Sequence, residues 1–225
     1  DTQLAPEQVA LIEAVTAANP RTAIIANVGH AFDCSWEDRA AALMLVWYPG
    51  QGFAPALASV LAGDREPGGR MPVSIAMEEA DYCGYATTPD ENRDLAYAEG
   101  TRFGYRGLIA NGTPARHPLG SGIGYARFEW NNIAAEGDGV AVTVRNISGR
   151  AGSEVVQLYR DTPECALIGC AKVRLGPGEE VRVTITPEPR MLRHWQDGWQ
   201  AATGDLAVRI ARSAQDVGLS CTIAL

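Results

Sequence analysis

The hydrophobic period changes once along this chain, and that change limits the folds open to it. Over the first 75 residues, short unbroken apolar runs at Ala23–Val28, Ala41–Trp47 and Met71–Ile75 alternate with segments whose apolar residues return at helical spacing. A short continuous apolar run suits a strand covered on both faces, and such strands belong to parallel sheets. Residues 6–18 read as a helix: Pro6 fits the first turn, Val9, Leu11, Ile12 and Val15 share a face, and Asn19-Pro20 ends it. Ala54, Leu57, Val60 and Leu61 mark a second helix before Gly63-Asp64. Strands alternating with helices predict a partial α/β sandwich with a mostly parallel sheet. From about residue 137 the pattern becomes one of short strands separated by turns. Val140, Val142 and Val144 precede the turn Asn146-Ile147-Ser148-Gly149, and further runs lie at Glu154–Tyr159, Lys172–Leu175, Val181–Ile185, Leu206–Ile210 and Cys221–Leu225. Strands at that spacing predict a small antiparallel β-sandwich. Residues 76–130, rich in Gly, Asn, Asp, Pro and aromatics with no repeat, read as a long packed connection. The expected organisation is α/β plus all-β: 1–78 an α/β domain, 79–130 an irregular connection, and 131–225 the sandwich.

Length and charge narrow the partners. At 225 residues and 46% hydrophobic content the chain can bury a sizeable core, and its net charge of −8 would repel a polyanion. No run of Lys or Arg offers counterion release, so neither nucleic acid nor an anionic membrane is an expected partner. No apolar stretch approaches the roughly 18 to 20 residues of a membrane-spanning helix. Position 1 is Asp and begins a polar entry to a helix, so the chain reads as a piece of something larger. Cys34, Cys83, Cys165, Cys170 and Cys221 are odd in number and lack paired CxxC spacing, which predicts free thiols and a reducing, cytoplasm-like compartment. Lys172 is the sole lysine, a bias that says little about function.

No constellation amounts to an active site on residue chemistry alone. His30, His117 and His194 are scattered, with no ligand partner at helical spacing, so no metal and no cofactor is expected. Ser35, Ser59, Ser74 and Ser121 lack a G-x-S-x-G elbow, and Gly120-Ser121-Gly122-Ile123-Gly124 reads as a tight turn because no buried strand leads into it and no helix follows. Cys165 and Cys170 lack the thioredoxin spacing. Trp36, Trp47, Trp130, Trp195 and Trp199 suit core anchors better than a sugar-stacking platform. Glu99, a few residues before Arg106, is the one catalytic candidate, and a buried ion pair between the two is the favoured reading.

Several stretches together resemble the C-terminal part of glycoside hydrolase family 3, the β-glucosidases and related exo-acting enzymes. Trp47-Tyr48-Pro49-Gly50-Gln51-Gly52, Val60-Leu61-Ala62-Gly63-Asp64 and Pro67-Gly68-Gly69-Arg70-Met71-Pro72-Val73 are similar to that family's W-x-P-G-Q-x-G, v-L-x-G-D and P-x-G-R-L-P-V. Tyr97-Ala98-Glu99-Gly100 with Gly104-Tyr105-Arg106 resembles Y-x-E-G-I-x-x-G-Y-R, and His117 to Tyr125 resembles y-P-F-G-x-G-L-S-Y. Val144-Arg145-Asn146 through Gly152-Ser153-Glu154-Val155-Val156-Gln157-Leu158-Tyr159, and Lys172 to Gly178, resemble the opening of the fibronectin type III-like domain that ends many of these enzymes. Departures occur at Gly107-Leu108, at Gly124 and at Ile168-Gly169-Cys170.

The resemblance implies a retaining exo-β-glycosidase in which an Asp nucleophile on an N-terminal (β/α)8 barrel and a Glu acid/base act from carboxyl groups about 5 to 5.5 Å apart. The barrel is not in this chain. The acid/base Glu of the family precedes an Asp before the L-x-P-x-Q segment, which Leu4-Ala5-Pro6-Glu7-Gln8 resembles; if Asp1 is that Asp, the Glu lies upstream. Expected partners are then the barrel portion of the same enzyme and a β-linked glycoside, with homo-oligomerisation left open. The alternative is a stand-alone carbohydrate-binding or interaction module without hydrolysis.

Overall fold

The computed structural model describes residues 2–84 and 88–225. Helix α1 (Pro6–Ala18) leads into strand β1 (Ala23–Ala26), which pairs in parallel with β2 (Ala42–Leu45), Ala23 lying opposite Ala42 and Ala26 opposite Leu45. Helix α2 (Phe53–Leu61) follows. The parallel sheet stops at two strands, which corrects the expected mostly parallel sheet. The run from Met71 to Ile75 does not join β1 and β2. Pro72 has no N–H to offer a ladder, and Met71 instead exchanges backbone hydrogen bonds with the 118–122 turn: its N–H donates to Ser121 O (2.8 Å) and its carbonyl accepts from Gly120 N–H (2.8 Å). Only the end of that run forms a strand, β3 (Ile75–Ala76), antiparallel to β4 (Ala115–His117). Among the described residues β1–β2 is the one parallel pairing, and the rest are antiparallel.

The expected face of α1 also divides. Ile12 packs with Leu4 against the small core of Phe32, Cys34, Trp36 and Ile75, whereas Leu11 is 64% exposed and Val15 43% exposed. The connection carries more order than its composition suggested, with a 3-10 turn at Glu79–Asp81, helix α3 (Tyr105–Ala110) and β4.

The sandwich begins at β5 (Phe128–Glu136) and continues through β6 (Gly139–Asn146), β7 (Gly152–Arg160), β8 (Ala166–Leu175) and β9 (Glu180–Ile185). A hairpin of β10 (Arg193–Trp195) and β11 (Trp199–Ala201) precedes β12 (Asp205–Ala211) and β13 (Leu219–Ala224). One sheet runs β5-β6-β9 and the other β13-β12-β7-β8. Val140, Val142 and Val144 from the first face Val156, Leu158, Val208 and Ile210 from the second, all almost fully buried. Alternation of period two places the valine triplet, and each facing pair, on one side of its sheet, and this core is the main store of buried apolar area among the described residues. Among the described residues no helix is long and apolar enough to cross a membrane.

The two halves meet along the segments that carried the family resemblance. Arg70 Nη2 pairs with Glu154 Oε1 at 2.9 Å, with side chains 12% and 6% exposed. Lys172 Nζ donates to Gly68 O (2.7 Å), Gln157 Nε2 to Gly120 O (3.1 Å), Tyr125 OH to Val60 O (2.8 Å) and Arg150 Nη2 to Gly63 O (2.7 Å). The glycines at 68 and 120 present bare backbone carbonyls that side chains of the sandwich can reach.

Candidate functional site

The first described residues form one wall of a cleft of about 340 Å³, lined among others by Thr2, Phe32, Asp33, Ser35, Tyr82 and Arg116. Hydrogen bonds from Thr2 add to the packing of Leu4 in holding them. Thr2 donates to Glu79 Oε2 from both its backbone N–H (2.7 Å) and its hydroxyl (2.6 Å), and Asp33 N–H donates to Thr2 O (2.8 Å). Asp33 in turn accepts from Ser35 N–H through Oδ1 at 2.9 Å. The Tyr82 hydroxyl accepts from Ala76 N–H (2.9 Å) at the base of the cleft, and burial pushes its phenol pKa up. The extended residues before α1 are thus clamped between two loops. Asp1, which the family resemblance makes the neighbour of the acid/base segment, lies outside the described residues.

Beside this cleft the fold gathers three side chains that the sequence left apart. Cys34 and Glu37 stand three residues apart on one tight turn, closed by Glu37 N–H donating to Cys34 O at 2.9 Å, which brings their side chains to one side. His117, placed opposite Ile75 by the β3–β4 register, approaches from the other segment, its Nε2 2.6 Å from Glu37 Oε2. The Cys34 sulfur, the Glu37 oxygen and the His117 nitrogen all lie within 4.8 Å of one another. Arg116 holds the second carboxylate oxygen of Glu37 at 3.3 Å. Burial, and then the Glu37 charge, push the Cys34 thiol up to about 12, with Arg116 opposing them. His117 has no ligand partner at helical spacing in the sequence; its partner is 80 residues away and arrives by strand pairing.

The Glu99–Arg106 ion pair does not form, correcting the expectation. Helix α3 starts at Tyr105 and turns Arg106 over the rings of Phe103 and Tyr105, each 5.9 Å from the guanidinium carbon. Glu99 packs its carboxyl against Gly84, where an added Cβ would overlap it, and its buried Oε2 has no hydrogen-bond partner among the described residues. Arg102, rather than Arg106, meets an acidic side chain nearby, Glu164 at 3.4 Å.

Other candidates separate by environment. His30 is exposed and holds Ala31 O through Nδ1 (2.6 Å), and the His194 side chain lies on the exposed β10 strand. Ser74 is buried, its Oγ accepting from Leu119 N–H (2.8 Å); the turn in this stretch is closed by Ser121 N–H donating to Pro118 O (3.0 Å), so it lies at 118–121, and residues 122–124 continue from it without regular structure. Cys165 is buried, Cys170 is exposed and both are free. Trp36 is a core anchor, whereas Trp195 and Trp199 are 68% and 65% exposed and meet edge to face at 5.6 Å.

Comparison with known proteins agrees with this architecture. Residues 1–105 match the glycosyl hydrolase family 3 C-terminal domain, and residues 154–214 match a fibronectin type III-like domain. A beta-glucosidase of Rhizobium radiobacter is 33% identical across the whole of this chain, which spans 30% of that protein. Beta-glucosidase B of Emericella nidulans is 36% identical over 92% of the chain and 28% of its own length. The crystal structure of DesR, a beta-glucosidase from Streptomyces venezuelae in complex with D-glucose, superposes with a TM-score of 0.92 at 32% identity, over all of this chain and 31% of that one. The chain therefore spans under a third of the length of these relatives. It belongs to glycoside hydrolase family 3, whose C-terminal domain it carries together with a fibronectin type III-like sandwich.

Proposed function

We propose that this chain works as the C-terminal section of a retaining exo-β-glycosidase, a β-glucosidase by the names of its relatives, and that it scaffolds an active site whose nucleophile is carried by a (β/α)8 barrel. The observation that supports this most is the state of the α/β half. Helix α2, Phe-Ala-Pro-Ala-Leu-Ala-Ser-Val-Leu, has no buried residue, and α1 buries only Thr16. Leu11, Leu61 and Tyr48 are 64%, 54% and 82% exposed. An apolar helix whose Phe53, Leu57 and Val60 are only half-buried calls for a further layer, and a two-stranded parallel sheet needs cover on both faces. A barrel packed there would lie against the same half as the Thr2 clamp, which would position the acid/base segment leading into Leu4-Ala5-Pro6. The substrate of the assembled enzyme is a terminal β-linked sugar.

The chain on its own is expected to show no hydrolysis of aryl β-glucosides, because double displacement needs a nucleophile and an acid/base at fixed separation. Joining it to the barrel-bearing portion should restore turnover. Sustained hydrolysis by the chain alone, or an inert fusion that nevertheless folds, would count against this function. Glu99 has a structural place in this proposal, filling the space left by Gly84. Glu99→Gln in the joined enzyme should then leave kcat per folded molecule within about threefold of the parent, since removal of a true acid or base costs about a hundredfold or more.

A further inference from the structure

We propose that Cys34, Glu37 and His117 form a binding site for one divalent cation of the zinc class. Zinc bonds sulfur at about 2.3 Å and nitrogen or oxygen at about 2.0 to 2.2 Å, so tetrahedral ligands stand about 3 to 4 Å from one another. The three donor atoms already lie within 4.8 Å, before any ion has drawn them in. His117 Nε2 and Glu37 Oε2 face each other across 2.6 Å, a hydrogen-bond distance shorter than the ligand spacing around zinc, so an ion that replaces the hydrogen between them would also push the two atoms apart by about half an ångström or more. On binding, the cation takes the lone pairs of both atoms and of the sulfur, and the displaced protons pass to solvent.

Charge and shape suit such an ion. A thiolate and a carboxylate supply two negative charges and the neutral imidazole none, which balances a dication. The Arg116 guanidinium adds an opposing charge, yet its grip on Oε1 at 3.3 Å also fixes the carboxylate and leaves Oε2 as a single donor. Cys34 is fully buried beside Phe32 and Trp36, so the sulfur cannot swing away, while the side chains of Glu37 and His117 are 16% and 29% exposed and leave a fourth position for water. Sulfur and imidazole donors select zinc, cobalt, nickel or copper over calcium or magnesium. The bound ion would tie the Cys34–Glu37 turn to β4 next to the Thr2 clamp, making it a structural staple of the cleft wall.

The test uses Co²⁺ as the probe, followed by Zn²⁺ displacement, on the reduced 225-residue chain. A saturable 1:1 uptake with a thiolate-to-cobalt charge-transfer band, lost on adding Zn²⁺, is the expected result. Cys34→Ser should abolish the band, and His117→Gln should weaken binding at least tenfold, while Cys83→Ser and Cys170→Ser leave both unchanged. The melting temperature of the parent should rise with Zn²⁺ and that of His117→Gln should not. If Cys34→Ser does not fold, the parent titration and His117→Gln decide the matter alone. Absence of a saturable band in the parent, or a band that follows Cys83 or Cys170, would overturn the site.

Discussion

Arg70→Ala should cost the folded chain about 3 to 5 kcal/mol, because it strands the Glu154 carboxylate in a buried joint. Glu154 lies in β7 with 6% of its side chain exposed, and Arg70 Nη2 reaches its Oε1 at 2.9 Å. Without that guanidinium the carboxylate keeps Val155 N–H at 2.9 Å and Arg212 at the longer distance of 3.7 Å. Neither group replaces a buried, hydrogen-bonded cation. For a chain of this size the loss corresponds to a fall in melting temperature of roughly 6 to 20 °C. Arg102→Ala supplies the contrast: its pair with Glu164 is long at 3.4 Å, with side chains 59% and 29% exposed, and should shift stability by about 0.5 kcal/mol or less. Calorimetry on the two variants distinguishes them, and equal melting temperatures would show that the joint does not hold the two halves together. The sandwich, with its own core of Val140, Val142, Val144, Val156 and Leu158, should melt later than the α/β half if the joint is the weak point.

The same residues explain what a sequence reader could see. Pro67-Gly68-Gly69-Arg70, the 120–124 glycine stretch and Gly152 to Tyr159 stand out as motifs, and the structure shows them converging: Arg70 on Glu154, Lys172 on Gly68, Gln157 on Gly120. Local patterns were legible wherever the partner lay within the pattern's own reach. The helix at Pro6–Ala18 and the valine triplet of β6 follow from spacing alone. Pairing between distant segments was not legible. Met71 to Ile75 carries the same apolar run as a parallel strand, and only the carbonyl and N–H of Ser121 and Gly120 reveal that it bonds elsewhere. Glu99 and Arg106 are close in sequence but separated by the start of α3, which aims Arg106 at Phe103 and Tyr105. His117 and Glu37, far apart in sequence, are joined by the β3–β4 register. Proximity along the chain is a poor guide to ion pairs when a helix or strand boundary falls between the partners.

Gly120→Ala should cost about 3 kcal/mol or more, because it adds left-handed strain to overpacking. Gly120 sits at φ +82°, a left-handed conformation that costs an L-residue roughly 1 to 2 kcal/mol. The added Cβ would overlap Gln157 Oε1 and stand 2.6 Å from Cδ and 2.8 Å from Nε2. Gln157 cannot step aside cheaply. It is 3% exposed, donates through Nε2 to Gly120 O (3.1 Å) and Arg212 O (2.7 Å), and accepts from Tyr159 OH through Oε1 at 2.7 Å. Overpacking of this kind adds about 1 to 3 kcal/mol, and each buried polar group left unpaired adds a similar amount. Gly137→Ala isolates the conformational part, since φ there is +60° and nothing lies within 4 Å of an added Cβ. If the clash with Gln157 is the source of the difference, Gly120→Ala combined with Gln157→Ala should cost less than the sum of the two singles, because the truncated side chain no longer resists the methyl. Additive costs in that cycle, or a Gly120→Ala variant as stable as Gly137→Ala, would mean that the turn adjusts around the methyl and that the joint is softer than its hydrogen bonds suggest.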